Sequence, residues 1–390
     1  MSHDWFAPAD IGPAQRALAP KLLAQRPRIR VSRYFICMAV FTAIVMGSIG
    51  WYSIRGLLEQ REERRVEKVR QMDYWRAAFA LPLERRMAAA DPLLIDFVRL
   101  RSARAGWPSR PSSYAPDAQM WHDLDAAVAA LPPEVKRAIA DKLGGIALIR
   151  GGDFSAITYE IMDAQGKPAK GFIMINLANF ETHNANEWLT WKENEPFQPG
   201  SRWSLRTLIE EPAENSRARA LEFLLLHEIG HLLAIGTDIN PPFPKRFEDP
   251  LPAVARYPFM GLSWRDSKDA EYESFAEEDF PLRRKLVYYH SAALNGNTMA
   301  PIYRNLQQTN YATLYGASNP WDDFAESFVT YVHTQMQHRP YAITIYHDDQ
   351  PVMVYHACWE EKRCEDKRAY MERVLGIGTP GKGSGAGDLH

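Results

Sequence analysis

Two histidines and a glutamate lie close together in an otherwise apolar stretch of the chain. His227, Glu228 and His231 have the spacing H-E-x-x-H within LEFLLLHEIGHLLAIG, residues 221–236. On an α-helix, residues four apart lie one above the other, so both imidazoles would project from one face. Two imidazole nitrogens at that spacing can bind one Zn²⁺ ion, and a catalytic zinc site adds a third protein ligand and a water. Glu228 would stand beside that water as a general base.

The same three polar residues could instead be core groups held by hydrogen bonds. Their neighbours are apolar, so the helix would be buried on nearly every side: Leu224, Leu225, Leu226, Ile229, Leu232, Leu233 and Ile235. A glutamate and two histidines are costly to bury unless a metal ion or hydrogen bonds compensate, and this favours the metal. Pro212 and Gly236 are typical of the residues that begin and end a helix.

A third metal ligand is expected from YGASNPWDDFAESF, residues 315–328. Asn319 and Pro320 are typical of a helix start, and Asp322 and Glu326 would then lie four apart on one face. One carboxylate can bind the metal, and the other can accept the free N–H of a ligand histidine. We predict Asp322 as the ligand, with Glu326 as its supporting partner or as the second choice of ligand. The competing interpretation is an acidic helix face in water.

The HEIGH motif, a downstream tyrosine and the segment DDFAESF together resemble a known enzyme family. They are similar to the catalytic domain of anthrax lethal factor and to related bacterial zinc metallopeptidases of the gluzincin type. The likeness covers residues 221–236 and 315–328. It implies that Tyr315 stabilises an oxyanion, in addition to the roles already given for the histidines, Glu228, Asp322 and Glu326. The family has glutamate where this chain has Asp322, and a shorter spacing before it, which implies an insertion here.

Composition and charge narrow the class of protein. The chain has 390 residues, of which 46% are hydrophobic and 24% charged, as expected for a folded globular protein rather than a disordered one. The formal net charge is −2. With no basic patch interleaved with aromatic residues, nucleic acid is not an expected partner.

The N-terminal third predicts a membrane anchor. Residues 1–33 are a polar basic tail, and Tyr34–Ile54 has no charged residue over a length that would cross a bilayer core of about 30 Å. We therefore expect one transmembrane helix at 34–54. A cleaved signal peptide fits less well because the preceding tail is long. Residues 55–105 are predicted to be a helical juxtamembrane stalk, which could self-associate.

The expected location is the bacterial inner membrane, with the catalytic domain on the periplasmic side. Positive charges are nearly balanced across the span, so they decide little about orientation. Cys358 and Cys364 lie close in sequence and could pair in an oxidising compartment, or they could be two free thiols.

The remaining chain predicts an α+β fold. Residues 106–375 form the expected metallopeptidase domain, mainly helical and zincin-like with a small β-sheet, and 376–390 form a Gly-rich disordered tail. A hairpin of 155–162 and 171–177 precedes the zinc helix, and its edge could hold an extended peptide by strand addition. A second hairpin is predicted around Asp348 and Asp349.

These elements predict a membrane-anchored zinc metallopeptidase that hydrolyses peptide or protein substrates. Two alternatives stay open at this point. One is a zinc amidase acting on cell-wall or other small amides, since the same chemistry needs only a polarised carbonyl. The other is a membrane-tethered scaffold of low activity, which Asp322 in place of glutamate would favour.

Overall fold

The computed structural model describes residues 33–107, 109–200, 202–243, 249–268, 271–289 and 292–377. The predicted tails at 1–33 and 376–390 therefore lie almost wholly outside the described residues. The chain divides into two units, Met1–Glu62 and Glu63–His390. The helices are α1 (Arg33–Val66), α2 (Met72–Phe79), α3 (Pro92–Arg104), α4 (Ala118–Ala130), α5 (Pro133–Ile139), α6 (Ala185–Asn194), α7 (Arg217–Ala234), α8 (Met299–Leu306), α9 (Pro320–Tyr331) and α10 (Glu365–Leu375). The strands are β1 (Met87–Ala89), β2 (Ser112–Ser113), β3 (Leu143–Arg150), β4 (Ala156–Met162), β5 (Pro168–Asn176), β6 (Trp203–Leu208), β7 (Trp264–Asp266), β8 (Tyr272–Ser274), β9 (Ala342–His347) and β10 (Gln350–His356).

The apolar stretch at 34–54 does not form the predicted membrane span. It is part of α1, which continues without a break into the charged residues that begin at Arg55. Across the described residues, no helix is both long enough and apolar enough to cross a membrane. The predicted transmembrane helix is therefore wrong, and so is the single-pass inner-membrane location that depended on it. The helix that forms, Arg33–Val66, is longer than the predicted span and includes charged residues from Arg55 onward.

The main sheet of the second unit has the order β1-β3-β5-β4, with β2 paired to β3. Strands β1, β3 and β5 are parallel, and β4 runs antiparallel to β5 at the sheet edge. The β4–β5 pair is the hairpin predicted ahead of the zinc helix, with Gly166 in its turn at a φ of +74°. The predicted hairpin is thus confirmed, and its free strand is β4.

Both faces of this sheet are buried, and one of them packs against residues that precede the predicted domain start at 106. On one face, Ile146, Leu148 and Ile173 pack in the same core as α4 and α7. Because strand side chains alternate between faces, residues such as Ala147, Phe172 and Met174 point the other way, into a core shared with Val66, Trp75, Leu94 and Phe97. The segment predicted as a stalk at 55–105 therefore supplies a layer of the fold from Glu63 onward, instead of ending before a domain at 106.

A second sheet has the order β10-β9-β6. The β9–β10 turn is the predicted second hairpin, and Asp348 and Asp349 have φ values of +50° and +61° there. Positive φ at both central residues is typical of the two-residue turn that matches strand twist. Nearby, Cys358 and Cys364 form a disulfide with a Cα separation of 5.8 Å.

Candidate metal centre

The HEIGH segment lies on α7, an 18-residue helix whose C-terminal half forms the floor of the site. The helix begins after Ser216, whose hydroxyl accepts a hydrogen bond from the N–H of Arg219 at 3.4 Å. The predicted start at Pro212 was therefore early, because a serine side chain caps the free N–H groups and Pro212 cannot. Gly236, at a φ of +68°, follows the helix end as predicted.

The opposite wall of the site is α9, which begins as predicted at Pro320 after Asn319. The Asn319 side-chain oxygen accepts hydrogen bonds from the N–H groups of Trp321 and Asp322 at 3.1 and 2.9 Å. This cap sets the first turn of α9. It also places Asp322 over the histidine-bearing face of α7.

Gly230 allows α7 and α9 to approach closely enough for their side chains to share an ion. A Cβ atom on Gly230 would lie 2.7 Å from Cα of Ala325. No side chain fits in that space, so the glycine of the HEIGH segment is a packing requirement of the site.

His227, His231 and Asp322 form a group that could hold a metal ion, since their ligand atoms all lie within 4.8 Å of one another. The two Nε2 atoms are 3.1 Å apart. Oδ1 of Asp322 lies 3.3 Å from Nε2 of His231 and 3.7 Å from Nε2 of His227. Ligands about 2.0–2.1 Å from a tetrahedral zinc ion stand about 3.3 Å from one another, so the three atoms suit such an ion without rearrangement.

Glu326 lies one turn further along α9 and faces the other nitrogen of a candidate ligand. Its Oε1 is 2.9 Å from Nδ1 of His227. A carboxylate that accepts the N–H of Nδ1 would orient the ring and leave the Nε2 lone pair for a metal, and the 2.9 Å contact places Glu326 for this role. The geometry thus separates the two carboxylates, with Asp322 in the ligand group and Glu326 behind His227.

Lys192 on α6 forms an ion pair with Glu326. Its Nζ lies 2.9 Å from Oε1 of Glu326, and the two side chains are only 4% and 2% exposed. Burial opposes the charge on Glu326, but Lys192 and His227 outweigh it and hold the pKa of Glu326 well below its usual range. Burial likewise opposes the charge on Lys192, but Glu326 and Glu193 raise the pKa of Lys192 overall.

The two facing groups of the metal centre also shift one another. Burial opposes protonation of His231, but its contact with Asp322 outweighs burial and raises the pKa of His231. Burial likewise opposes ionisation of Asp322, but the same contact lowers the pKa of Asp322. The contact therefore favours an ionised Asp322, the form a cation binds, together with a protonated His231, whose proton a bound metal ion would have to replace.

Glu228 is 3% exposed and lines the same cavity as the metal group. The hydroxyl of Thr158, on the edge strand β4, donates to Oε2 of Glu228 at 2.7 Å. The same hydroxyl lies 3.1 Å from the Glu228 backbone oxygen. Glu228 is thus held in one orientation by the neighbouring strand.

Tyr315 is placed beside the metal group, as its sequence position implied. Its ring lies parallel to that of His227, with centroids 5.7 Å apart, and Nζ of Lys192 lies 4.1 Å from its ring centre. Burial, and then the charge of Asp322, raises the pKa of Tyr315 well above that of a free tyrosine. The phenol therefore keeps its proton and can donate a hydrogen bond.

These residues open onto a cavity of about 700 Å³. Aromatic side chains form part of its wall, among them Phe97, Trp107, Trp188, Phe223 and Tyr288. Cavities of roughly 300–1,000 Å³ hold ligands of drug size, so this one has room for a short peptide segment.

Sequence reasoning missed several residues of the site. Thr158 lies in a β-rich segment and Lys192 begins the polar run KENE, and nothing in either local pattern marks them as site residues. Of the isolated histidines, His333 has its Nε2 2.8 Å from the Ile209 carbonyl oxygen, and His290 lies outside the described residues. His347 and His356 lie on β9 and β10, the strands of the second sheet, and are not in the metal group.

The chain was compared with protein-family models, curated proteins and solved structures. No family model, curated protein or solved structure matches the chain. The resemblance to the lethal-factor type of peptidase therefore remains a prediction from two short motifs, and the chemistry has to be argued from the site itself.

Proposed function

We propose that this chain is a zinc-dependent peptidase, with His227, His231 and Asp322 as the zinc ligands. The observation that carries the proposal is the spacing of three ligand atoms at 3.1, 3.3 and 3.7 Å. Two imidazoles and one carboxylate, with a further carboxylate behind a histidine, are the donor set typical of catalytic zinc.

Glu228 and Tyr315, which lie beside the three proposed ligands, then have roles in hydrolysis. Bound zinc would polarise a carbonyl group and make water a better nucleophile near neutral pH. Glu228, oriented by Thr158, would accept the proton of the attacking water and pass it to the leaving amine. Tyr315, which keeps its proton, would donate a hydrogen bond to the oxyanion that forms at the attacked carbonyl.

The surroundings of the metal group favour peptides as substrates. The edge strand β4 lines the cavity next to Glu228, and an edge strand can hold an extended peptide by backbone hydrogen bonds. The aromatic wall supplies apolar surface for side chains. This combination supports peptide hydrolysis over reactions on small polar molecules.

The test compares wild type with Glu228→Gln in the full chain. Each is purified, its zinc content is measured, and hydrolysis of a mixed peptide library is followed by mass spectrometry. We expect about one zinc ion per chain in both proteins, and a loss of turnover of roughly 10²–10⁴ in the variant, because the general base is removed. Glu214→Gln, at an exposed glutamate just before α7, is the control and should behave as wild type. Unchanged turnover in Glu228→Gln would refute the mechanism.

A further inference from the structure

At its C-terminal end, the outer edge of β4 is covered by Arg70 and Gln71. Gln71 forms a parallel bridge with Met162, the last residue of β4. Nε of Arg70 donates to the carbonyl oxygen of Glu160 at 3.2 Å, and its Nη2 lies 2.6 Å from the Glu160 carboxylate. The segment that closes the edge belongs to the layer beginning at Glu63, so closure is part of the fold.

The strand register shows which backbone groups of β4 face its open edge. Glu160 lies opposite Gly171, whose N–H bonds to Lys142 on the far side of the sheet. The backbone groups of Glu160 therefore point away from β5, towards the free edge. Alternate residues of a strand share this direction, so Ala156 and Thr158 also present N–H and C=O outward. Among the described residues, no strand pairs with that edge at these two positions.

The open edge is short. Four residue steps separate Ala156 from Glu160, which at about 3.3 Å per residue gives roughly 13 Å of strand. The catalytic group lies beside the middle of this edge, because the Thr158 hydroxyl contacts Glu228 at 2.7 Å. About 7 Å of edge, or roughly two residues, therefore separates the level of Glu228 from the closed end.

Building on the proposed peptidase activity, we propose that the substrate is the free N-terminal end of a peptide, from which the enzyme removes about one to three residues. Antiparallel pairing is the more stable arrangement for an added strand. A peptide antiparallel to β4 has its N-terminus near Glu160, where Arg70 and Gln71 leave no edge for further residues. At the other end, no strand among the described residues pairs with β4 at Ala156, so the C-terminal part of the peptide would leave in that direction.

A nested peptide series tests this in the zinc-loaded full chain. One sequence is preceded by zero to six extra residues, and the cleaved bond is located by mass spectrometry. We expect the cut to move with each extension and to stay at a fixed distance from the N-terminus. A cut that stays at the same sequence bond, or at a fixed distance from the C-terminus, would overturn the inference while leaving the peptidase intact. If the zinc-loaded chain cleaves no peptide of any length, the proposed function fails, and this inference fails with it.

Arg70→Ala tests the closure directly. Removing this side chain takes away its hydrogen bond to the Glu160 carbonyl oxygen, so released N-terminal fragments should lengthen by one or more residues. Arg76→Ala is the matched control, because Arg76 lies on α2, is mostly exposed and pairs with Asp73 one turn away. It should release the same fragments as wild type. An Arg70→Ala protein that is folded by circular dichroism yet gives unchanged fragments would contradict closure by Arg70.

Discussion

Replacing Lys192 by methionine should damage both stability and metal binding, although Lys192 is not itself a metal ligand. Lys192 and Glu326 are a buried ion pair at 2.9 Å, with side chains 4% and 2% exposed. Removing one partner of a buried pair leaves the other charge uncompensated, which typically costs about 3–5 kcal/mol. Glu326 would then hold a proton more readily and would serve His227 less well as an acceptor. Loss of such a supporting contact typically weakens metal binding by about 10–100-fold.

The experiment uses urea unfolding and zinc competition on the same variants. Lys192→Met should lose stability by the amount above and bind zinc more weakly. Lys167→Met, an exposed lysine in the turn between β4 and β5, is the control and should change neither quantity. The double variant Lys192→Met/Glu326→Gln should be more stable than the sum of the single changes predicts, because the Glu326 charge is no longer buried without its partner.

Two results would refute this reasoning. The first is a Lys192→Met protein with wild-type stability and zinc affinity. The second is strict additivity in the double-mutant cycle, which would mean that the two side chains do not interact energetically. Either result would reduce Lys192 to a space-filling residue.

Three further predictions concern the ligands, the helix contact and pH. Asp322→Ala should lose zinc, whereas Glu326→Ala should retain it with reduced affinity; equal loss in both, by zinc analysis, would contradict the assignment of Asp322. Gly230→Ala should destabilise the fold by about 1–3 kcal/mol and weaken zinc binding, because its Cβ would meet Ala325; urea unfolding against wild type measures the cost. Burial, and then Arg339, lowers the pKa of His333 to about 4, below the value of about 6.5 expected when unfolded. Between these values the unfolded chain binds more protons, so stability should fall by about 2 kcal/mol from pH 7 to pH 5, and less in His333→Gln.

Several features of the fold follow from local sequence. The β4–β5 hairpin, the β9–β10 hairpin and the start of α9 depend on turn residues and caps that act on their immediate neighbours. The sequence also contains a pattern that indicates a layer of structure covering the second face of the main sheet. Residues 146–149 and 172–175 are apolar at successive positions, which is typical of strands buried on both faces. Such strands require a covering layer, and the segment after Glu63 provides it.

The prediction of a transmembrane helix rested on an apolar run of residues. An apolar run is evidence of burial in some apolar environment, and its composition does not say how far the helix that contains it extends. Here α1 continues from the apolar residues into a charged segment, and no helix of the described residues is long and apolar enough to cross a membrane.

By itself, the sequence determined which groups could share a metal ion from one helix face. The spacing of His227 and His231, and of Asp322 and Glu326, follows from helix periodicity, which is a local property. Only the tertiary structure decided which carboxylate meets Nε2 and which meets Nδ1, because this depends on how closely α9 approaches α7 at Gly230. It alone brought Lys192 under Glu326, Thr158 to Glu228 and Arg70 to the end of β4. These contacts join residues distant in sequence, and their energies depend on burial that no local pattern specifies.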